Sequence, residues 1–170
     1  METYNLKEVI RDIQINSVMK KMVVKPDIKK IKKGDNIFFN KPYWKIIEKY
    51  KDDCIITGSM ALFAFGLIER SPKDIDLIVL KQDIKLPKLY KSSYPEENVV
   101  NLLGTHEDSG YVIDFFEEEN PIYIEYEGYK FEHPLQIIVK KSKLNRNASG
   151  YVSKDVYDIL ECYKNIKYED

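Results

Sequence analysis

The fold is decided by residues 54–80, CIITGSMALFAFGLIERSPKDIDLIVL. The first four of these residues form a short, β-branched, apolar run that is bounded by Gly58, which predicts a buried strand. Residues 59–65 predict a helix packed on that strand, and residues 74–80 predict a second buried strand. A Gly-Ser pair therefore closes one buried strand, and two aspartates open the next.

The two aspartates are Asp74 and Asp76, and the strand period of two places them on one face. Neighbouring carboxylates repel each other unless a divalent cation lies between them, and Mg²⁺ or Mn²⁺ prefers such hard oxygen ligands. A third acid, Asp114, lies in a later apolar run. An unpaired carboxylate buried there would cost several kcal/mol, roughly, which a metal or a cationic partner would relieve. The alternative for the aspartate pair is a solvated strand edge.

Phosphate-binding chemistry is also present in this region. Gly58 allows a backbone to approach a phosphate closely, and Ser59 offers a hydroxyl at a predicted helix N-terminus, where free N–H groups suit phosphate oxygens. Arg70 could hold a phosphate oxygen or pair with a surface acid. Lys140 and Lys141 could reach a triphosphate, or they could lie on a solvated helix face.

Residues 54–80 resemble the signature of the nucleotidyltransferase superfamily, and the resemblance extends more loosely to about residue 160. Ile56-Thr57-Gly58-Ser59 matches the first half of the signature, and Asp74-Ile75-Asp76-Leu77 matches the second. Asp114 matches the third carboxylate that the family carries on a neighbouring strand. Lys140, Lys141, Lys154, Asp155 and Asp158 look like the lysine-rich helix and Lys-Asp-x-x-Asp run of minimal and abortive-infection-type nucleotidyltransferases.

The resemblance implies an α/β fold of the DNA polymerase β-like kind, in which a small mixed sheet has helices on one side and the carboxylates at its open face. It implies transfer of a nucleoside monophosphate from a nucleoside triphosphate to an acceptor, with Mg²⁺ or Mn²⁺ as cofactor. Catalytic and metal-binding roles then fall to Asp74, Asp76 and Asp114. Nucleotide-binding roles fall to Gly58, Ser59, Arg70 and Lys140. The acceptor could be a tRNA or another RNA end, a protein side chain or a small molecule.

The rest of the chain predicts a single domain over residues 1–170, with no internal repeat and no obvious linker. This domain divides into an N-terminal helical extension (1–50), a core sheet (54–126) and C-terminal helices (134–166). The predicted helices are 6–22, capped by Asn5, one starting at Asn40-Lys41-Pro42-Tyr43, 134–143, and a last one capped by Ser153. Further predicted strands are 99–103, 111–116 and 122–126, with a hairpin turn at Glu127-Gly128. Residues 81–98 are interpreted as an excursion.

The composition is that of a folded protein, with 44% hydrophobic and 32% charged residues among 170. The 27 basic and 28 acidic residues give a net charge of -1, which excludes a globally basic nucleic-acid binder but not a local basic patch. The five lysines of Lys25–Gly34 could form such a patch, although a solvated connector is the simpler interpretation. His106 and His133 lack a zinc-ligand pattern.

Compartment and redox state follow from what the sequence lacks. Two cysteines are too few for a secreted disulfide scaffold, so Cys54 and Cys162 are expected to be reduced thiols in a strand and a helix. The N-terminus does not read as a signal peptide, and no run approaches the ~18 apolar residues of a membrane span. We therefore expect a cytoplasmic protein with no membrane partner.

Two other functions remain open at this point. The same fold could be a non-catalytic module, such as an antitoxin-like binder or a component of a larger assembly, for example a phage particle. Its tyrosine-rich composition and N-terminal helix would suit a protein interface. Alternatively, the enzyme could be a toxin that modifies tRNA, with residues 25–33 as the RNA contact.

Overall fold

The computed structural model describes residues 5–33, 43–72, 74–80, 84–90, 101–108, 110–143 and 154–169. Its helices are α1 (Leu6–Met19), α2 (Ile28–Lys33), α3 (Tyr43–Tyr50), α4 (Gly58–Ala64), α5 (Pro134–Lys143) and α6 (Lys154–Asn165). Its strands are β1 (Lys21–Met22), β2 (Cys54–Thr57), β3 (Asp74–Val79), β4 (Asn101–Asp108), β5 (Tyr111–Glu117), β6 (Tyr123–Tyr126), β7 (Tyr129–Glu132) and β8 (Tyr168–Glu169). The expected α/β class with a mixed sheet is confirmed.

The main sheet has six strands in the order β4-β5-β3-β2-β7-β6. Strands β3 and β5 run parallel, as do β2 and β7, while the other neighbouring pairs are antiparallel. The β6–β7 connection is the predicted tight hairpin. Both of its turn residues, Glu127 and Gly128, have positive φ angles of 51° and 86°, as the right-handed twist of a two-residue hairpin requires.

One face of the sheet carries the main hydrophobic core. Ile75, Leu77, Ile113 and Phe115 alternate onto this face and are at most 1% exposed. Helix α3 packs there through the ring of Tyr50, whose centroid lies 5.2 Å from that of Phe115. Phe65, the residue after α4, also packs on this face, and the centroid of its ring lies 5.7 Å from that of Phe131.

Helix α1 is shorter than its apolar pattern predicts. Its N-cap is the expected one, since the Asn5 side chain accepts a 3.0 Å hydrogen bond from the Lys7 N–H. The helix ends at Met19 because Lys20 is extended, with φ -133° and ψ 149°. Met22, which was expected in the helix, lies in β1 and pairs with Tyr168 of β8. The second, two-stranded sheet that results is not visible in the local pattern, because it joins the two ends of the chain.

The basic stretch after β1 is a helix rather than the expected connector. Asp27 caps α2 by accepting a hydrogen bond of 3.0 Å from the Lys29 N–H. Ile28 and Ile31, three residues apart, are both buried. The amine of Lys30 lies 5.4 Å from the centre of the Phe63 ring on α4. Apolar spacing and the cap therefore outweigh the charge of this segment, and the helix packs on α4.

The end of strand β4 differs from the sequence pattern. Strand β4 runs on to Asp108, beyond the expected end at residue 103, because all of its residues from Gly104 onwards find partners on β5. Most of the predicted excursion, namely residues 81–83 and 91–98, lies outside the described residues, as do residues 99–100 of the next predicted strand and the predicted cap Ser153. Cys54 and Cys162 are both buried free thiols, in β2 and α6 as predicted.

Candidate functional site

A row of polar residues crosses the sheet on the face opposite the main core. The register pairs Thr57 of β2 with Asp76 of β3. It then pairs Asp76 with Asp114 of β5, and Asp114 with Thr105 of β4. Side chains of paired residues lie on the same face, and neighbouring strands are about 4.8 Å apart. Asp74, two residues before Asp76, lies on this face too and is exposed.

The three acids singled out in the sequence therefore lie on adjoining strands of one face, with Asp76 and Asp114 as direct neighbours. Within the described ranges, no three acidic, histidine or cysteine side chains already converge into a group that could hold an ion. The two neighbouring carboxylates have different contacts. Asp114 Oδ1 accepts a 2.6 Å hydrogen bond from the Thr105 hydroxyl on one side, whereas the Asp76 carboxylate lies against Gly58 on the other.

Gly58 forms a sharp elbow between β2 and α4. Its φ angle is +63°, in the left-handed region. A Cβ built at this position would overlap the Asp76 carboxylate. Glycine is thus required twice, once by the backbone conformation and once by the close approach of an acidic side chain. The contact between Gly58 and the Asp76 side chain therefore fixes the position of the elbow relative to strand β3.

The Ser59 hydroxyl sits at the centre of a buried charge cluster. It accepts a hydrogen bond of 2.8 Å from Arg70 Nη2 and one of 3.4 Å from the Lys141 amine. Asp158 binds both nitrogens of the Arg70 fork, at 3.1 and 2.7 Å. The Lys141 amine also lies 3.1 Å from a carboxylate oxygen of Asp155 and 3.1 Å from one of Asp158. The elbow is thereby tied to α5 and α6.

Within this cluster, Arg70 and Asp158 shift each other's pKa. Burial by itself would raise the pKa of Asp158, but hydrogen bonds and attraction from Arg70 and Lys141 outweigh it and hold the pKa below its ordinary value. Conversely, the hydrogen bond to Asp158 raises the pKa of Arg70. The Arg70 side chain keeps 33% exposure, so this guanidinium can still contact a bound anion.

A second buried pair borders the row at β7. Glu132 is fully buried, and its carboxylate accepts a 2.5 Å hydrogen bond from the Thr57 hydroxyl. The Lys140 amine lies 2.6 Å from the same carboxylate and 3.1 Å from that of Glu118. Burial raises the pKa of Glu132 to about 7, against the opposing effect of Lys140 and Thr57. Glu132 thus extends the polar row by one strand.

The structure brings most of the sequence-predicted site residues together. Gly58, Ser59 and Arg70 meet at the elbow, next to Asp76. The nucleotide contact expected of Lys140 stays a prediction. In the structure the Lys140 amine is bound by the carboxylates of Glu118 and Glu132. The lysine that reaches Ser59 is Lys141.

Two residues of the polar row were not identified from the sequence. Thr105 and Glu132 are single polar residues in strands, and nothing in the local pattern distinguishes them from solvent-facing positions. Only their positions in the sheet identify them: Thr105 pairs with Asp114, and Glu132 lies on β7, the strand next to that of Thr57. These positions emerge only once the strand order is known.

Together these features define an α+β protein with a polar, acid-bearing row on one sheet face and a cation-held Ser59 beside it. Comparisons with family models, with characterised proteins and with solved structures give no match for this chain. In the part of the chain that the structure describes, no helix is long and apolar enough to cross a membrane.

Proposed function

We propose that the protein is a metal-dependent nucleotidyltransferase that moves a nucleoside monophosphate from a nucleoside triphosphate to a hydroxyl-bearing acceptor. The observation that carries the proposal is the register of β3 and β5, which makes Asp76 and Asp114 lateral neighbours. A structural protein gains no stability from neighbouring carboxylates, since like charges on adjacent strands repel each other. A catalyst that must hold a cation needs them.

The residues present fit Mg²⁺ or Mn²⁺ by their chemistry. Asp74, Asp76 and Asp114 are hard oxygen donors on one face, and Asp74 is exposed while the other two are partly exposed. These three side chains would hold the ion once their carboxylates turn toward one another, since they do not converge in the structure. When bound, such an ion would lower the pKa of the attacking hydroxyl and neutralise charge on the leaving group.

Ser59, Arg70 and Lys141 would bind the triphosphate. The Ser59 hydroxyl is held between two cations, and phosphate oxygens accept readily from hydroxyl, guanidinium and ammonium donors. Asp155 and Asp158 hold both cations in position from behind. These positions are fixed before the substrate arrives, so their reorganisation costs little during the reaction.

The chemical step is an in-line displacement at the α-phosphorus. The acceptor oxygen forms a bond to this phosphorus, while the bond from it to the bridging oxygen of the β-phosphate breaks and pyrophosphate leaves with the electron pair. Asp114 takes the proton of the acceptor hydroxyl. The hydrogen bond from Thr105 orients the Asp114 carboxylate. Positioning and charge neutralisation supply most of the acceleration.

Substitution of single carboxylates tests this proposal. Asp76→Asn and Asp114→Asn should each abolish the Mg²⁺-dependent transfer of label to an acceptor, assayed with all four triphosphates labelled on the α-phosphate in the presence of RNA and protein extracts. Glu117→Gln is the matched control, because Glu117 is an exposed acid of the same strand, β5, on the other face. Circular dichroism checks that every variant folds. Full activity in Asp76→Asn, or no consumption of any triphosphate by the wild-type protein, would refute the proposal.

One observation favours a second candidate, a non-catalytic module that binds another protein. Val18 and Met19, at the end of α1, are 87% and 77% exposed. Ile15, one turn earlier on the same face, is 45% exposed. If this surface is the functional one, a double substitution of Val18 and Met19 by lysine abolishes a stoichiometric complex that consumes no nucleotide. An unchanged complex, or pyrophosphate release by the chain alone, would exclude this candidate.

A further inference from the structure

The segment 84–90 lies along the outer edge of strand β4, and we call it the edge segment. Its last residue, Tyr90, exchanges two backbone hydrogen bonds with Thr105, of 2.9 and 2.7 Å. Leu86 and Leu89 pack against the hydrophobic core. The backbone hydrogen bonds and the partly buried leucines hold this segment beside the polar row.

The ring of Tyr90 projects onto the face that carries the proposed active site. Tyr90 is the antiparallel bridge partner of Thr105, so the two side chains share a face, and Asp114 lies next on that face. Partial desolvation and the carboxylates of Glu107 and Asp114 raise the pKa of the Tyr90 hydroxyl. Tyr90 is 51% exposed.

The edge segment also carries positive charge. Lys85 and Lys88 are both exposed. They lie on the outer side of the row, whereas the acids Asp114 and Asp76 lie two and three strands further in. The two lysines would attract phosphates to the outer side of this edge.

We propose that the edge segment binds the single-stranded end of a nucleic acid, whose terminal base stacks on Tyr90 and whose backbone phosphates contact Lys85 and Lys88. Aromatic platforms combined with basic side chains are the usual means of binding single strands. The proposal deepens the proposed function and rests on it, because the bound end would then be the acceptor. Two strand spacings, about 10 Å, separate Tyr90 from Asp114, a gap that one terminal nucleoside can bridge.

Binding is measured without any triphosphate, so that it does not depend on nucleotidyl transfer. Fluorescence anisotropy of the full chain is recorded in Mg²⁺ buffer with labelled single-stranded RNA and DNA of about 12 nucleotides. Tyr90→Leu should weaken binding by about 5- to 150-fold, while Tyr90→Phe, which keeps the ring, should stay within about twofold. Substituting Lys85 and Lys88 together by serine should reduce the logarithmic salt slope by about 1.4.

Tyr157→Leu is the matched control, because Tyr157 is an exposed tyrosine of α6, 64% exposed, outside the proposed site. Binding of RNA alone or of DNA alone supports the proposal and identifies the source of the strand. Equal affinity of Tyr90→Leu and wild type, an equal loss in Tyr157→Leu, or a loss in Tyr90→Phe as large as in Tyr90→Leu overturns it. Failure of the wild type to bind either strand overturns it as well and leaves a protein or small-molecule acceptor, while the carboxylate variants still test the transferase separately.

Discussion

Replacing Gly58 by alanine tests whether the elbow and the Asp76 carboxylate are in contact. Gly58 has a φ of +63°, and an added Cβ would overlap the Asp76 side chain. A left-handed conformation costs a non-glycine residue about 1–2 kcal/mol. Overpacking against a neighbour that cannot move away freely adds about 1–3 kcal/mol. Gly58→Ala should therefore lower the free energy of unfolding by about 2–5 kcal/mol.

Gly128→Ala separates the two contributions. Gly128 has a φ of +86°, and an added Cβ would meet nothing within 4 Å. It therefore carries the backbone cost alone, about 1–2 kcal/mol. Both substitutions reduce the entropy of the unfolded chain alike, so that effect cancels in the difference. The two variants should differ by the overlap with Asp76 only.

The assay is equilibrium unfolding in guanidinium chloride, with the midpoint and the slope fitted separately. A double-mutant cycle of Gly58→Ala with Asp76→Ala should show a coupling of about 1–3 kcal/mol, because truncation of Asp76 removes the overlapping carboxylate. Equal losses in Gly58→Ala and Gly128→Ala, or simple additivity in the cycle, would refute the reasoning.

Three further predictions concern buried charges and thiols. Burial raises the pKa of Glu132 from 4.5 to about 7. The contribution of Glu132 to stability is therefore complete below pH 4.5 and is lost as the pH rises through 7. Glu132→Gln should remove up to about 3 kcal/mol of this pH dependence, measured by denaturation at a series of pH values, and an unchanged slope contradicts it. Lys141→Ala leaves its two buried carboxylate partners with one cation fewer and should cost about 3–5 kcal/mol in the same assay. Lys164→Ala, on an exposed position of α6, should cost less than about 0.5 kcal/mol, so similar losses would count against the cluster. Cys54 and Cys162 are buried with pKa values raised to about 12 by that burial, so a thiol reagent should label neither until denaturant is added, and rapid labelling of the native protein would contradict this.

Local sequence predicted the elements around the motif well. Strand β2 was visible as a β-branched apolar run, and α4 as the helix that follows Gly58. The hairpin at Glu127-Gly128 was predicted from turn chemistry alone, because a two-residue turn is specified by its own backbone preferences. The predicted element boundaries were wrong where long-range strand pairing competes with local preference. Met22, for example, was expected in the first helix but pairs with Tyr168 in a sheet.

The candidate site divides in the same way. The period of two was enough to place Asp74 and Asp76 on one face, since that relation depends on consecutive residues only. The position of Asp114 beside them depends on which strands pair and in which register. A shift by one residue would have turned its side chain to the opposite face.

The sequence by itself thus determined the α/β class, the glycine elbow and the aspartate pair, because each arises from interactions within a few residues. Only the tertiary structure decided that Lys141, 82 residues along the chain, reaches Ser59, and that Asp158, 88 residues away, holds Arg70. Such contacts depend on how helices pack against the ends of strands. That packing is set by burial of the whole core, so no local pattern of residues encodes it.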